Sequence, residues 1–403
     1  MNEVELKQKI YDGLTDKKVE ISEEVKNRIE LEWETFSKNG QLNYLAFYYD
    51  LVSFAKENGI KIGSGRGVAC CSLILYALDI TQINPLRYGL IFERVPKNLD
   101  IDLDVETEQR EKIINYLKQK YGENNVLRSV AYDSHKIPHP HASRWIIKKY
   151  GDDLPVSNVD GETVVMYEAA DVDKLQLFNV DLLGLNVLSD IKDTVSLIKE
   201  RYNVDIVFDS DKCDDEKTFS LINSLDTEDI FDLSGESFKR LIKKYPVNSL
   251  NDISFIIALC RPPFIGSSEI CDEGPTRLNK YLTETRGLLL YQEQVTEILR
   301  DLCDIDYAEA EKVRKLLATR KYDEASEYEN TFTEKASAKY GYKIANKIWD
   351  YLWNNSRYCF LKAHSISYAF MAYQSAYLKA NYRKEFGEIF TERHKELPCK
   401  NRT

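Results

Sequence analysis

Leu99-Asp100-Ile101-Asp102-Leu103-Asp104-Val105 alternates aliphatic and acidic residues without a break. A period of two belongs to a strand with one apolar and one acidic face. The apolar face needs a core to cover it. On the other face successive carboxylates lie roughly 7 Å apart, and at an effective dielectric near 20 each pair repels by about 2 kcal/mol. Two readings relieve that repulsion. The strand lies at a solvated edge, where its charges guard against aggregation, or its carboxylates hold a hard divalent cation, as Mg²⁺ is held by one or two carboxylates together with substrate phosphates.

The segment upstream favours the cation. Gly63, Gly65 and Gly67, with Arg66 among them, follow the apolar Ile60–Ile62 and precede Val68–Leu78. The pattern predicts strand, tight turn and helix N-terminus, where free N–H groups and the helix dipole attract anions and glycines let the backbone approach an oxyanion. The spacing is that of neither a Walker loop nor a dinucleotide fingerprint, so by itself the turn reads equally well as plain structure.

Together these stretches resemble the palm of the bacterial family C replicative polymerases, the DNA polymerase III alpha subunits. The GRGV, NPLRYGLIFERV and LDIDLDV of this chain stand at matching separations to the family's GRGS, DPLRYGLLFERF and PDIDIDF. Further along, Leu177–Leu185 resembles VKFDFLGL, Ile257–Pro263 resembles ALYRPGP, Thr285–Val295 is similar to TYGIIVYQEQVM, and Tyr358–Ser365 stands where the family has YGFNKSHS, with Leu361 in place of Asn. Ile230–Leu241 is similar to a drifted GVFQLES…GMR, and Ala310–Lys315 to ADLLRR.

The resemblance implies an α+β chain: a nucleotidyltransferase-type (polymerase beta-like) palm with a mixed sheet, followed by a mostly helical fingers domain. It implies an N-terminal helical extension at 1–41, the first part of the palm at 42–126, a reduced thumb or connecting loop at 127–140, the second part of the palm at 141–200 and fingers at 201–403. The implied activity is DNA-templated addition of dNTPs to a primer 3′ end by two-metal-ion nucleotidyl transfer. Asp100, Asp102 and Asp181 are the implied catalytic carboxylates and ligands of two Mg²⁺ ions, for which Mn²⁺ is a possible substitute; Asp104 stands behind them or is structural. Gly65, Arg66, Gly67 and Ser72 would cradle the triphosphate. Val68 replaces the family's serine there, with Ser64 and Ser72 near enough to compensate. Arg261, Arg314, Lys321, Lys362 and His364 are nucleotide-binding candidates, and Arg320, Arg357 and Lys379 DNA-binding candidates.

The partners implied are primer-template DNA, dNTPs and accessory replication proteins that supply processivity. With no room for the family's N-terminal PHP domain or its C-terminal modules, the resemblance implies low processivity and no proofreading. Two other readings stay open: a template-independent or gap-filling nucleotidyltransferase, and an inactive polymerase-like protein that binds DNA or a replisome partner.

Composition narrows the rest. A net charge of −11 excludes a surface that is basic all over, but Tyr351–Lys384 contains no Asp or Glu and carries Arg357, Lys362, Lys379, Arg383 and Lys384 among aromatics, a pattern suited to nucleic-acid phosphates. No apolar run approaches a membrane span and there is no signal-peptide pattern, which implies a cytoplasmic protein without membrane partners. The eight cysteines form no CxxC pair, so reduced thiols are expected. His135, His139 and His141 fall in a proline-containing stretch; this reads as a polar loop near primer or template rather than as a zinc site, which would need a fourth ligand.

Overall fold

A computed structural model describes residues 1–95, 99–148, 153–175, 177–261 and 276–395. The chain divides into two compact units, one built of Met1–Asn84, Pro96–Val207 and Tyr382–Glu396, the other chiefly of Pro85–Val95 and Phe208–Asn381.

The first unit opens with three amphipathic helices. Asn2 and Glu5 form a capping box on α1, Glu3–Asp16. Ser22 caps α2, Glu23–Lys38, by accepting the Val25 N–H, and α3 spans Leu42–Glu57. Their apolar stripes are buried, with Leu6, Ile10 and Leu14 on α1 and Val25, Ile29 and Phe36 on α2. The short α4, Leu73–Ala77, and α5, Arg110–Tyr121, come next.

The sheet has six strands: β1 Asp102–Val105, β2 Val126–Tyr132, β3 Pro138–Ile147, β4 Val156–Val159, β5 Glu162–Val165 and β6 Asn179–Gly184. In space they run β1-β6-β3-β2-β5-β4. β1 is parallel to β6 and β2 to β5, whereas the β6–β3, β3–β2 and β5–β4 pairs are antiparallel. The sheet is therefore mixed, as the α+β expectation requires. α6, Ala169–Lys174, leads into β6, and α7, Asn186–Tyr202, leaves it.

Three local expectations are corrected. The aspartate strand begins only at Asp102, because its partner β6 first pairs there, Asp102 with Asp181; the Ile101 carbonyl turns aside to accept the Tyr48 hydroxyl at 2.6 Å. Val68–Leu78 is not one helix. A 3₁₀ turn at Gly67–Cys71 ends at Ser72, whose extended backbone starts α4, and of Ile60–Ile62 only Ile62 pairs, in an isolated bridge to Val105. Residues 127–140, expected as a reduced thumb or connecting loop, form a hairpin of the sheet. Its prolines are tolerated because Pro138 is the first residue of β3 and Pro140 sits beside the register shift between Arg128 and Val130, the positions where a strand can spare an N–H.

The second unit is helical. Its longer helices include Lys362–Asn381 and Gln292–Cys303, Tyr307–Thr319, Tyr322–Tyr340 and Tyr342–Asn355, the last four packed on a core that includes Leu282, Leu289, Ile298, Leu317 and Phe332. Helix Lys362–Asn381 buries most of its circumference, as a core helix does. No described helix is long and apolar enough to cross a membrane.

Candidate metal and nucleotide site

The sheet register builds the site. Asp102 on β1 stands opposite Asp181 on β6, and Asp181 stands opposite Arg144 on β3. Asp100, just before β1, completes a cluster in which one carboxylate oxygen from each of Asp100, Asp102 and Asp181 lies within 4.8 Å of the others. At that distance and an effective dielectric near 20 each pair of charges repels by about 3 kcal/mol. Burial, reinforced by Asp181 and Asp100, pushes the Asp102 carboxyl up to about 7. Burial also raises Asp100, against the pull of Arg144.

Arg144 relieves part of this repulsion. Its guanidinium donates from Nε to Asp181 Oδ2 at 2.6 Å, from Nη2 to Asp100 Oδ2 at 2.7 Å and from Nη1 to Asp173 Oδ1 at 2.8 Å. Burial disfavours the cation, but Asp181 and Asp100 outweigh it and hold its pKa above the usual value. Ser143 Oγ donates to the other oxygen of Asp181 at 2.7 Å. His141 Nδ1 accepts the Ser143 and Arg144 N–H groups at 3.3 and 3.0 Å, and burial lowers its pKa, so a neutral ring keeps its proton on Nε2. Asp100 Oδ1 is buried without a hydrogen-bond partner. A carboxylate-only donor set with an orphaned oxygen suits a hard divalent ion, so the residues present fit Mg²⁺. On the Asp100 side a cleft of about 1250 Å³ is lined by Tyr44, Phe47, Asp50, Asp100, Asp173 and Phe178, among others.

Asp104 belongs to a separate arrangement. Its carboxylate is buried, accepts from Arg66 Nη2 at 2.8 Å and Nε at 3.2 Å, and has its pKa raised by burial against the pull of Arg66. Gly63 crosses directly over it, donating its N–H to the Asp104 carbonyl at 2.8 Å, and a Cβ at Gly63 would lie 2.6 Å from that of Asp104. Gly65 has φ +106°, and a Cβ there would meet Cys70 Sγ at 2.7 Å.

The expected phosphate cradle is changed at its helical end. Ser72 donates its hydroxyl to Glu32 Oε2 at 2.6 Å, and Glu32 also accepts the N–H groups of Leu73 and Ile74 at 2.9 and 3.0 Å. The α4 N-terminus is thus closed by a protein carboxylate. Ser72 is fully buried and faces Glu32, so of the four residues expected to cradle a triphosphate it is the one turned to a protein carboxylate at the α4 N-terminus.

In the second unit, several candidate cations are tied to carboxylates. Arg314 is buried and bonds Glu311 at 2.8 and 2.9 Å, and Lys362 holds Glu284 at 2.8 Å. Lys379, expected on DNA, is buried against Asp226 and Asp229 at 2.9 and 3.6 Å, which withdraws it from solvent. Arg320 caps the helix end at the Trp353 and Asn354 carbonyls, and Lys321 is exposed beside Glu324 at 3.1 Å. Arg261 stacks over Phe360 at 3.9 Å and Arg357 lies over Tyr358 at 5.0 Å, both exposed; Pro262 and Pro263 of the Arg261 motif lie outside the described residues. The His364 ring packs edge-on to Tyr368 at 4.2 Å. His135 and His139 lie at the β2–β3 hairpin, where His139 reaches Asp160 at 3.4 Å; among the described residues the aspartate cluster is the one group of candidate metal ligands.

Sequence reasoning passed over Arg144, Ser143 and Glu32. Arg144 carried a signal: an arginine ahead of Trp145-Ile146-Ile147 in a strand needs a buried anion.

A mixed sheet with a carboxylate cluster at its β1–β6 seam, joined to a separate helical unit, defines the class as a palm-type α+β protein with an all-helical companion. Residues 4–151 match the family profile described as the bacterial DNA polymerase III alpha NTPase domain, and residues 187–340 match that of the bacterial DNA polymerase III alpha subunit finger domain. The chain belongs to the DNA polymerase III alpha family. Among its relatives named DNA polymerase III subunit alpha, that of Thermotoga maritima is 30% identical over 95% of this chain and 48% of its own length. The Aquifex aeolicus protein is 27% identical over 94% of this chain and 43% of its own length, and that of Thermus aquaticus 25% over 93% and 38%. The chain thus spans less than half the length of these relatives.

Proposed function

We propose that this chain is a DNA-templated DNA polymerase core, its first unit the palm and its second the fingers, that adds dNTPs to a primer 3′ end. The observation that carries the reading is the convergence of Asp100, Asp102 and Asp181 within 4.8 Å, in a chain that belongs to a polymerase family. Mg²⁺, or Mn²⁺ in its place, supplies when bound the charge that activates the 3′ hydroxyl and stabilises the leaving pyrophosphate. Asp100 and Asp102 would hold the ions, with Asp181 joining them. The Gly65–Gly67 turn, steadied by the Arg66–Asp104 pair, is the candidate contact for the triphosphate. Phosphate contacts supply most of the DNA affinity, which makes activity salt-sensitive and, unless accessory proteins assist, weakly processive.

Extension of a labelled primer on a defined template with single dNTPs and Mg²⁺, beside Asp102→Ala, tests this. Addition of the complementary nucleotide alone, lost in the variant, is expected; indiscriminate addition supports a template-independent transferase instead. One observation favours an inactive DNA-binding role as a second reading: Arg144 already bonds two of the three aspartates. Folded protein that binds DNA but adds nothing would establish it.

A further inference from the structure

We propose that Arg144 is a resident counter-cation of the aspartate cluster, a positioning residue that holds Asp100 and Asp181 together and competes with a divalent ion for the Asp181 side. The proposal rests on reading the cluster as a metal site.

The two sides of the cluster are unequal. Both Asp181 oxygens have a donor, Ser143 Oγ on Oδ1 and Arg144 Nε on Oδ2, and Asp100 Oδ2 has Arg144 Nη2. Asp100 Oδ1 has none, and among the described residues no donor bonds Asp102. An ion that arrives first therefore meets Asp100 Oδ1 and Asp102, whereas an ion that reaches Asp181 has to share it with a guanidinium. The register that sets Arg144 opposite Asp181 keeps the competitor in place, because the backbone of β3 is fixed in the sheet.

Arg144 also has somewhere to go. Its Nη1 already bonds Asp173 Oδ1 at 2.8 Å and the Ala169 carbonyl at 3.2 Å, both on α6. A small rotation about that anchor frees Asp181 without leaving the guanidinium unpaired, the condition under which a buried charge is tolerated. Two ions then bind with unequal affinity, and the weaker one reports on Arg144.

The test is Mn²⁺ titration of the full chain followed by electron paramagnetic resonance, with melting of the metal-free protein alongside. The wild type is expected to show one tight and one weaker class of site, separated by at least tenfold. Arg144→Gln is expected to tighten the weaker class about tenfold and to lower the melting temperature of the metal-free protein, with Mn²⁺ restoring it; Arg144→Lys, which keeps the charge, stays near the wild type. Asp173→Asn, which removes the alternative anchor, is expected to weaken the second class further, and this variant decides the matter if Arg144→Gln does not fold. Unaltered Mn²⁺ binding in Arg144→Gln, or in Asp173→Asn where only that variant folds, overturns the proposal and leaves the metal site standing. A wild type that binds no Mn²⁺ overturns both.

Discussion

Glu32 on α2 and Ser72 at the start of α4 share a 2.6 Å hydrogen bond in which both partners are fully buried. The same carboxylate accepts two N–H groups of α4 and pairs with Arg28 at 2.6 Å. Arg28 reaches on to the Cys71 carbonyl at 2.7 Å, so one ion pair fixes the far end of the glycine turn. Glu32→Ala leaves Arg28 and the helix end without their anion, and the loss is expected to be about 3–5 kcal/mol by urea denaturation. A loss under about 1 kcal/mol would show that water replaces the carboxylate.

Gly63→Ala tests the approach of the turn to β1. The added methyl lies 2.6 Å from Asp104 Cβ, and crowding of this kind costs about 1–3 kcal/mol when backbone has to move. Because β1 also carries Asp102, the variant is expected to lose Mn²⁺ affinity as well as thermal stability. Loss of stability with metal affinity intact would separate the turn from the carboxylates.

Asp102 sets a pH dependence. Its carboxyl is raised to about 7 by burial and its acidic neighbours, against about 3.9 in an unfolded chain. Between those values the folded state binds the extra proton, so the stability of the metal-free protein is greatest at the acid end of that window and falls as pH rises from about 4 to about 7. Asp102→Asn is expected to flatten this slope in melting curves recorded from pH 5 to pH 8. Persistence of the slope would assign it to other groups.

Lys362 and Lys379 lie on one helix and are expected to answer differently to mutation. Lys379 is buried on Asp226 and Asp229, so Lys379→Met costs about 1–3 kcal/mol of stability and leaves the KM for dNTP where it was. Lys362→Met frees Glu284 and is expected to raise that KM at least tenfold. Equal KM effects in primer extension would remove the distinction.

What was legible in the sequence was what repeats locally. The alternation read at Leu99–Val105 appears in the structure as β1, Asp102–Val105. Asp181 was reached through a family resemblance, and the sheet register brings it opposite Asp102. Arg144 and Glu32 were not legible, because each is explained by partners far along the chain: Arg144 by Asp100 and Asp181, Glu32 by Ser72. The prolines at 138 and 140 misdirected for the opposite reason. Locally they argue against a strand interior; Pro138 is excused by its place at the start of β3 and Pro140 by the register shift beside it.

Among the described residues the chain passes between its two units four times, after Asn84, Val95, Val207 and Asn381. The last passage returns the helix Arg383–His394 to the first unit, where Arg393 and His394 meet the buried Asp190 on α7 at 2.8 and 3.1 Å. In order of synthesis, then, Arg383–His394 follows Phe208–Asn381 of the helical unit, although it belongs to the unit that carries the aspartates. Neither unit is a cassette that one cut can lift out: a fragment ending at Val207 keeps every carboxylate of the cluster and lacks the residues that neutralise Asp190.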